Sequence, residues 1–360
     1  MIKNYLQDLC KIDAVPSYED DVASYVFNVF KRHHNDVRID RIGNVILHLG
    51  NSNESKPRIV VFAHMDEVGF IVRKIERNGF LRFERLGGVN TQVLPGTVIR
   101  FLGNQGIRGV IGVKSHHFMK PEEKFLIPKV EEQYIDIGAK NAEEVRRMGI
   151  QVGDVAVFNG DLNIDDNGLI RGKALDDRIG CAILCELSEN LDVSNCKSDV
   201  YLVACVMEEY NIRGILPAIR QIKPDISIGI DITVACDTPD LNYSDIALGE
   251  GPAFTHMSFH GRGTLAGVLP DHELLNQLKM TSSRLGINYQ NEVAMGVITE
   301  NAYILFENDG VSVANISIPT RYTHTAVETI CLQDAISAYE VLFNFVCQDH
   351  QNVKFGKERR

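Results

Sequence analysis

Tryptophan is missing from all 360 residues. Sugar-binding grooves commonly use aromatic faces as stacking platforms, so its absence weighs against a carbohydrate site. Positive charge is also in short supply. Against 48 Asp and Glu stand only 37 Lys and Arg, a formal net charge of −11. No basic field exists to attract phosphates, which argues against nucleic acid as the main partner. The one basic run, "KFGKERR" at 354–360, reads as a solvated tail. No apolar run approaches the ~20 residues that span a bilayer, so no membrane partner is expected. The opening "MIKNYLQDLCKID" carries acids and no long apolar core, unlike a signal peptide. The eight cysteines form no CxxC pair. Free thiols in a reducing cytoplasm are therefore expected, and Cys181 and Cys185, one helical turn apart, fit core packing better than metal binding.

What remains is an ordinary globular composition, 44% hydrophobic and 24% charged, long enough for one large domain or two unequal ones. "PRIVVFA" (57–63), "DVYLVACVM" (199–207), "DISIGIDI" (225–232) and "VSVANISIP" (311–319) are apolar, β-branched runs typical of strands covered on both faces. "RIGCAILCELSEN", "RGILPAIRQI" and "LQDAISAYEVLFNFVCQ" read as helices beside them. "VPSYEDDVASYVFNVFKRHH" predicts another, with Ser17 as N-cap. The alternation implies an α/β fold with a mainly parallel sheet flanked by helices. From 71 to 163 short apolar stretches are punctuated by "NG", "GG" and "PG", and only "NAEEVRRMG" looks helical. This predicts a small β-barrel or sandwich inserted into a domain made of 1–70 and 164–360.

Titratable residues gather at the predicted strand ends. His64 and Asp66 follow the first, Glu208 and Glu209 the second; Asp231 lies in the third, and His324 comes soon after the fourth. "GKALDDRIG" sets Asp176 and Asp177 before a helix. Open α/β sheets bind ligands beyond the carboxyl ends of their strands. Each residue alone has a plainer reading: Asp-Asp as an N-cap, Glu-Glu as a solvated loop, a histidine as a surface or core group. His116 and His117 fit a surface loop, and His33 and His34 a helix end. Together, so many carboxylates in one pocket require neutralising charge. Two divalent ions supply it, and mixed imidazole and carboxylate donors suit zinc, cobalt or manganese. Paired ions roughly 3.5–4 Å apart also use a bridging carboxylate and leave one free as a base.

"AHMDEVGF", "GKALDDRIGC", the Glu pair before "xxRG", "DITVACDTPD", "LGEGPAF" and "IPTRYTHTAVE" resemble, in order and over about residues 5–345, the M42 metallo-aminopeptidases. The resemblance implies a di-zinc peptidase fold with an inserted β-rich dimerisation domain, and dimers that build dodecamers. It implies His64 and Asp231 on one metal, Glu209 and His324 on the other, and Asp176 bridging both. Glu208 would be the general base, and Asp66 would orient His64. Tyr210 and Asn211 stand where the family has Val-Gly, Val234 where His is common, and Glu300 where Asp is usual.

The expected activity is removal of amino-terminal residues from short peptides through a water bridged by two metals. Glycoside hydrolysis would need two carboxyls roughly 5–9.5 Å apart and gives His64 and His324 no role. A di-metal N-acyl amidohydrolase would share the ligands. A catalytically weak peptide-binding or assembly subunit draws on Tyr210, Asn211 and Glu300.

Overall fold

The computed structural model describes residues 1–50, 56–103, 106–194, 196–261, 265–350 and 353–356. Residues 357–360 of the basic run lie outside them. Four parallel strands form its centre: β1 (Arg58–His64), β2 (Asp199–Cys205), β3 (Ile226–Val234) and β4 (Ser312–Arg321). Each begins and ends within two residues of its sequence expectation. They lie in the order β2-β1-β3-β4 within a twelve-stranded mixed sheet. Antiparallel neighbours close both flanks, Val45–Leu49 against β2 and Glu328–Cys331 against β4.

The apolar runs are explained by cover on both faces. Ile59, Val61, Ile228 and Ile230 pack toward helices Leu175–Asn190 and Leu332–Val346. Val60, Phe62 and Val203 face the opposite layer, which holds Ile219 of helix Leu216–Ile222 and Ile304 of helix Asn301–Ile304. Among the described residues, no helix is long and apolar enough to cross a membrane. All eight cysteines are free.

A closed six-stranded antiparallel barrel follows β1, running from strand Gly69–Ile75 to strand Val155–Phe158. Phe70 meets Phe83 and Phe158 edge-on inside it, with ring centroids 5.5 and 5.2 Å away. Residues 65–68 lead in from β1 and 159–162 lead back to the sheet edge at Asn163–Ile164. Helix Ala142–Arg147 is capped by Asn141, whose side chain accepts the Glu144 N–H.

Ser17 is not the N-cap that its position suggested. Its φ of 70° turns the chain left-handed, and helix Asp20–Lys31 starts after Glu19. Glu19 does not cap either; its carboxylate accepts the Met207 N–H at 2.9 Å.

A chain of ion pairs, buried at its inner end, ties barrel to sheet. Arg100 of the barrel binds Asp13 at 2.6 Å, Asp13 binds Lys173 at 3.0 Å, and Lys173 binds both Glu67 oxygens at 2.6 and 2.8 Å. Lys173 and Glu67 are 1% and 2% exposed. Removing one partner of such a pair strands the other charge, at a cost of about 3–5 kcal/mol. Lys173→Met should therefore lose about that much stability in denaturant titration, and adding Glu67→Gln should restore most of it.

Candidate metal centre

Chain progress across the sheet reverses at β1, which has β2 on one side and β3 on the other. Open α/β sheets bind ligands at such a switch point. The β1–β3 ladder ends at Phe62 and Gly229, two residues before His64 and Asp231. Their side chains therefore stand at the mouth of a gap between the strands.

The other groups are brought there by left-handed turns. Beyond β2, Met207 (φ 58°) turns the chain into the short helix Glu208–Asn211. Asp66 holds that turn: its carboxylate accepts the N–H groups of Glu208 at 3.1 Å and Glu209 at 2.9 Å. Beyond β4, Tyr322 and His324 are also left-handed, at φ 59° and 60°. Non-glycine residues held so cost about 1–3 kcal/mol each and cluster at functional sites. Glu328 spans two parts of the centre, accepting the His324 N–H at 2.7 Å and the Asp176 N–H at 3.1 Å.

Asp176 lies between the two imidazoles. One oxygen is 3.1 Å from His64 Nε2; the other is 3.3 Å from His324 Nε2, which is also 3.3 Å from Glu209. Each Nδ1 meets a backbone carbonyl, Asp66 at 3.1 Å for His64 and Gly88 at 3.2 Å for His324. A carbonyl can only accept, so Nδ1 carries a proton and Nε2 faces inward, where its own N–H donates to Asp176 and where loss of that proton would expose the lone pair a metal ligand requires. The Asp66 carboxylate is farther from His64 Nδ1, at 3.5 Å. Its closer contacts are with the Glu pair.

Three sets of donor atoms each fall within 4.8 Å of one another: His64, Asp176 and Glu209; His64, Asp177 and Asp231; Glu208, Asp231 and Glu300. These sets hold five of the seven residues expected as ligands, base or orienting group; His324 joins through Asp176 and Glu209, and Asp66 through the Glu208 and Glu209 N–H groups. Asp177 joins them, fully buried, with one carboxylate oxygen lacking a hydrogen-bond partner among the described residues. Of the departures from the family pattern, Glu300 lies inside the cluster and accepts from the Cys205 thiol at 3.0 Å. Tyr210 is exposed.

Protonation follows from the crowding. Burial, and then Asp176, push Asp231 well above the carboxylate range. Burial also raises Glu208, with Glu300, Glu209 and Asp231 adding to it against the pull of His64. Burial alone would lower both histidines, but Asp176 and Asp66 hold His64 well above its ordinary value, and Glu209 and Asp176 do the same for His324. Asp176 goes the other way: burial favours its neutral form, yet its hydrogen bonds with His324 and His64 keep it ionised. Protonation here offsets the negative charge of the crowded carboxylates. Buried carboxylates, an orphaned Asp177 oxygen and imidazoles without thiolates fit divalent zinc, cobalt or manganese.

Several members have ordinary residue types and were not expected. Glu328 closes the quoted "THTAVE" stretch, so its nearness in sequence to His324 was a usable signal. Gly87 and Gly88 read only as a turn, yet a Cβ on either would stand 3.1 Å from Glu209 or 3.0 Å from His324.

Residues 43–341 match the family described as M42 glutamyl aminopeptidase. The chain belongs to the M42 peptidase family. It is 43% identical over 343 residues to the Escherichia coli (strain K12) protein named "Putative aminopeptidase SgcX", covering 95% of this chain and 92% of that one. Among solved structures it is similar to aminopeptidase APDkam598 of the archaeon Desulfurococcus kamchatkensis. That likeness has a TM-score of 0.91 at 32% identity, over 100% of this chain and 99% of the other. The TET1 peptidase of Pyrococcus horikoshii, described as assembling into a tetrahedron or a large octahedral shell, aligns with a TM-score of 0.84 at 25% identity, over 96% and 99%. The M42 fold is thus shared across the whole chain.

Burial, with Asp176 beside it, pushes Glu328 from 4.5 to about 8. A carboxyl that keeps its proton only in the folded state stabilises the fold below its unfolded value and stops doing so as pH rises through its folded value. Glu208 and Asp231 carry the same sign; Asp176 carries the opposite one, but below this window. Metal-stripped protein should therefore lose thermal stability between about pH 5 and about pH 8. Saturating zinc should flatten that slope in a scanning fluorimetry series.

Proposed function

We propose that this M42 chain is a metal-dependent aminopeptidase that releases amino-terminal residues from short peptides. The observation carrying the reading is the convergence on Asp176 of two imidazoles whose Nε2 atoms face inward among buried carboxylates. His64 and Asp231 would hold one divalent ion, Glu209 and His324 the other, with Asp176 shared between them. When bound, two such ions acidify the attacking water and polarise the scissile carbonyl. Glu208 acts as general base, taking the water proton on its carboxylate and returning it to the leaving amine. Positioned proton transfer of this kind is worth roughly 10²–10⁴-fold. Asp66 fixes the backbone of both Glu208 and Glu209, so base and ligand share one support. Gly88 and the Asp66 carbonyl keep both rings in the ligand tautomer.

We assign residues 1–70 and 164–360 to the catalytic unit and 71–163 to a dimerisation unit, from which dimers and then dodecamers would form. Phe118, Phe125 and Leu126, 81%, 90% and 69% exposed, supply apolar surface suited to such contacts. The shell-forming Pyrococcus horikoshii relative supports the same reading. Eight free thiols fit a cytoplasmic protein.

Aminoacyl p-nitroanilides should be hydrolysed by protein loaded with zinc, cobalt or manganese, and chelation should stop turnover. N-acetylated forms should resist; their preferential cleavage would favour an amidohydrolase instead. Glu208→Gln should lower kcat at least ~100-fold while binding divalent ions as the parent does. Full activity in that variant would remove Glu208 as the base, and absence of turnover on every anilide would favour a binding or assembly subunit.

A further inference from the structure

Side chains alternate along a strand, and two residues span roughly 6.6 Å. Thr233 therefore projects from β3 on the same face as Asp231, one side chain farther out. There it lines a cavity of about 160 Å³ together with Val234, Leu241, Tyr243, Ala294 and Met295. Glu292 closes one wall. It is 5% exposed and is bonded by the hydroxyls of Thr233 and of Thr255, the latter at 2.6 Å. No Lys, Arg or His lines the space among the described residues. Arg321 follows Thr320, the ladder partner of Val234, but is taken up by Asp237 through two bonds of 2.7 and 2.6 Å.

We propose that this cavity receives the side chain of the substrate's amino-terminal residue and selects an uncharged, apolar one of leucine or methionine size. The inference rests on the aminopeptidase reading and separates this chain from the glutamyl preference in its family's description. An acidic side chain would bury a second carboxylate beside Glu292 with no cation to meet it, which is prohibitive. A lysine would lose its own hydration and gain little from Glu292, which burial pushes toward its neutral form and which already holds two hydroxyl donors. An apolar chain meets neither penalty and removes its surface and that of the wall from water.

The test uses the full chain loaded with zinc and a panel of leucyl, methionyl, alanyl, lysyl and glutamyl p-nitroanilides. A methylene in an apolar pocket discriminates by about 10-fold or more. The leucyl and methionyl substrates should exceed alanyl in kcat/KM by about 10-fold and glutamyl by at least ~100-fold. Ala294→Phe, which fills the cavity, should lower the leucyl-to-alanyl ratio about 10-fold. Glu292→Gln should raise the glutamyl-to-leucyl ratio by a similar factor. A glutamyl or lysyl preference in the parent protein overturns the proposal, as does an Ala294→Phe variant whose leucyl-to-alanyl ratio is unchanged. Calorimetry with free L-leucine and L-glutamate reads the cavity without turnover. If nothing is hydrolysed but leucine binds and Ala294→Phe weakens it, the cavity assignment stands and the peptidase reading falls. If glutamate binds as tightly as leucine, the cavity assignment falls whatever is hydrolysed.

Discussion

Everything around the switch point is arranged to keep negative charge where a folded protein would ordinarily refuse it. Asp176, Asp177, Glu208, Asp231, Glu300 and Glu328 are all buried, and the cationic partners at their centre, among the described residues, are His64 and His324. Burial of a carboxylate among others favours its neutral form, and the directions of protonation at Glu208, Asp231 and Glu328 follow that rule. Asp176, touched by both rings, is instead held ionised. A protein has little reason to assemble such a cluster unless added positive charge reverses the balance. The centre is thus most economically read as a container for cations, with the chain's own protons filling in.

That constraint explains why parts of the molecule are legible in its sequence. The four central strands announce themselves because cover on both faces leaves only apolar residues over long runs. Against that background a titratable group at a strand end is conspicuous, so His64, Glu208, Glu209 and Asp231 stand out. The supporting layer does not. Glu328, Glu19 and Gly88 act through backbone hydrogen bonds and close approaches, and those depend on tertiary neighbours that local pattern does not encode. Ser17 shows the converse: a favourable cap residue is overruled because the chain turns left-handed there. Strands Ala253–His260 and Gln290–Met295 are hidden for another reason. They lie off the main path of the sheet, and in Gln290–Met295 burial runs against residue type, with Glu292 buried and Val293 and Met295 exposed.

The barrel is less separate from the chemistry than its closed sheet suggests. Its Gly88 carbonyl orients His324, and Gly87 lets the loop pass beside Glu209. Glu67 sits in the connection leading to the barrel, immediately after Asp66, and is fixed by Lys173, three residues before Asp176. Through Asp13 the same charges reach Arg100 on a barrel strand. A displacement of the barrel would therefore be felt at both imidazoles: at His324 through Gly88, and at His64 through the 65–68 connection whose Asp66 carbonyl holds its ring. Any contact that steadies the barrel from outside then also steadies the two imidazole rings. In this architecture, the position of the barrel and the order of the candidate metal centre are physically linked.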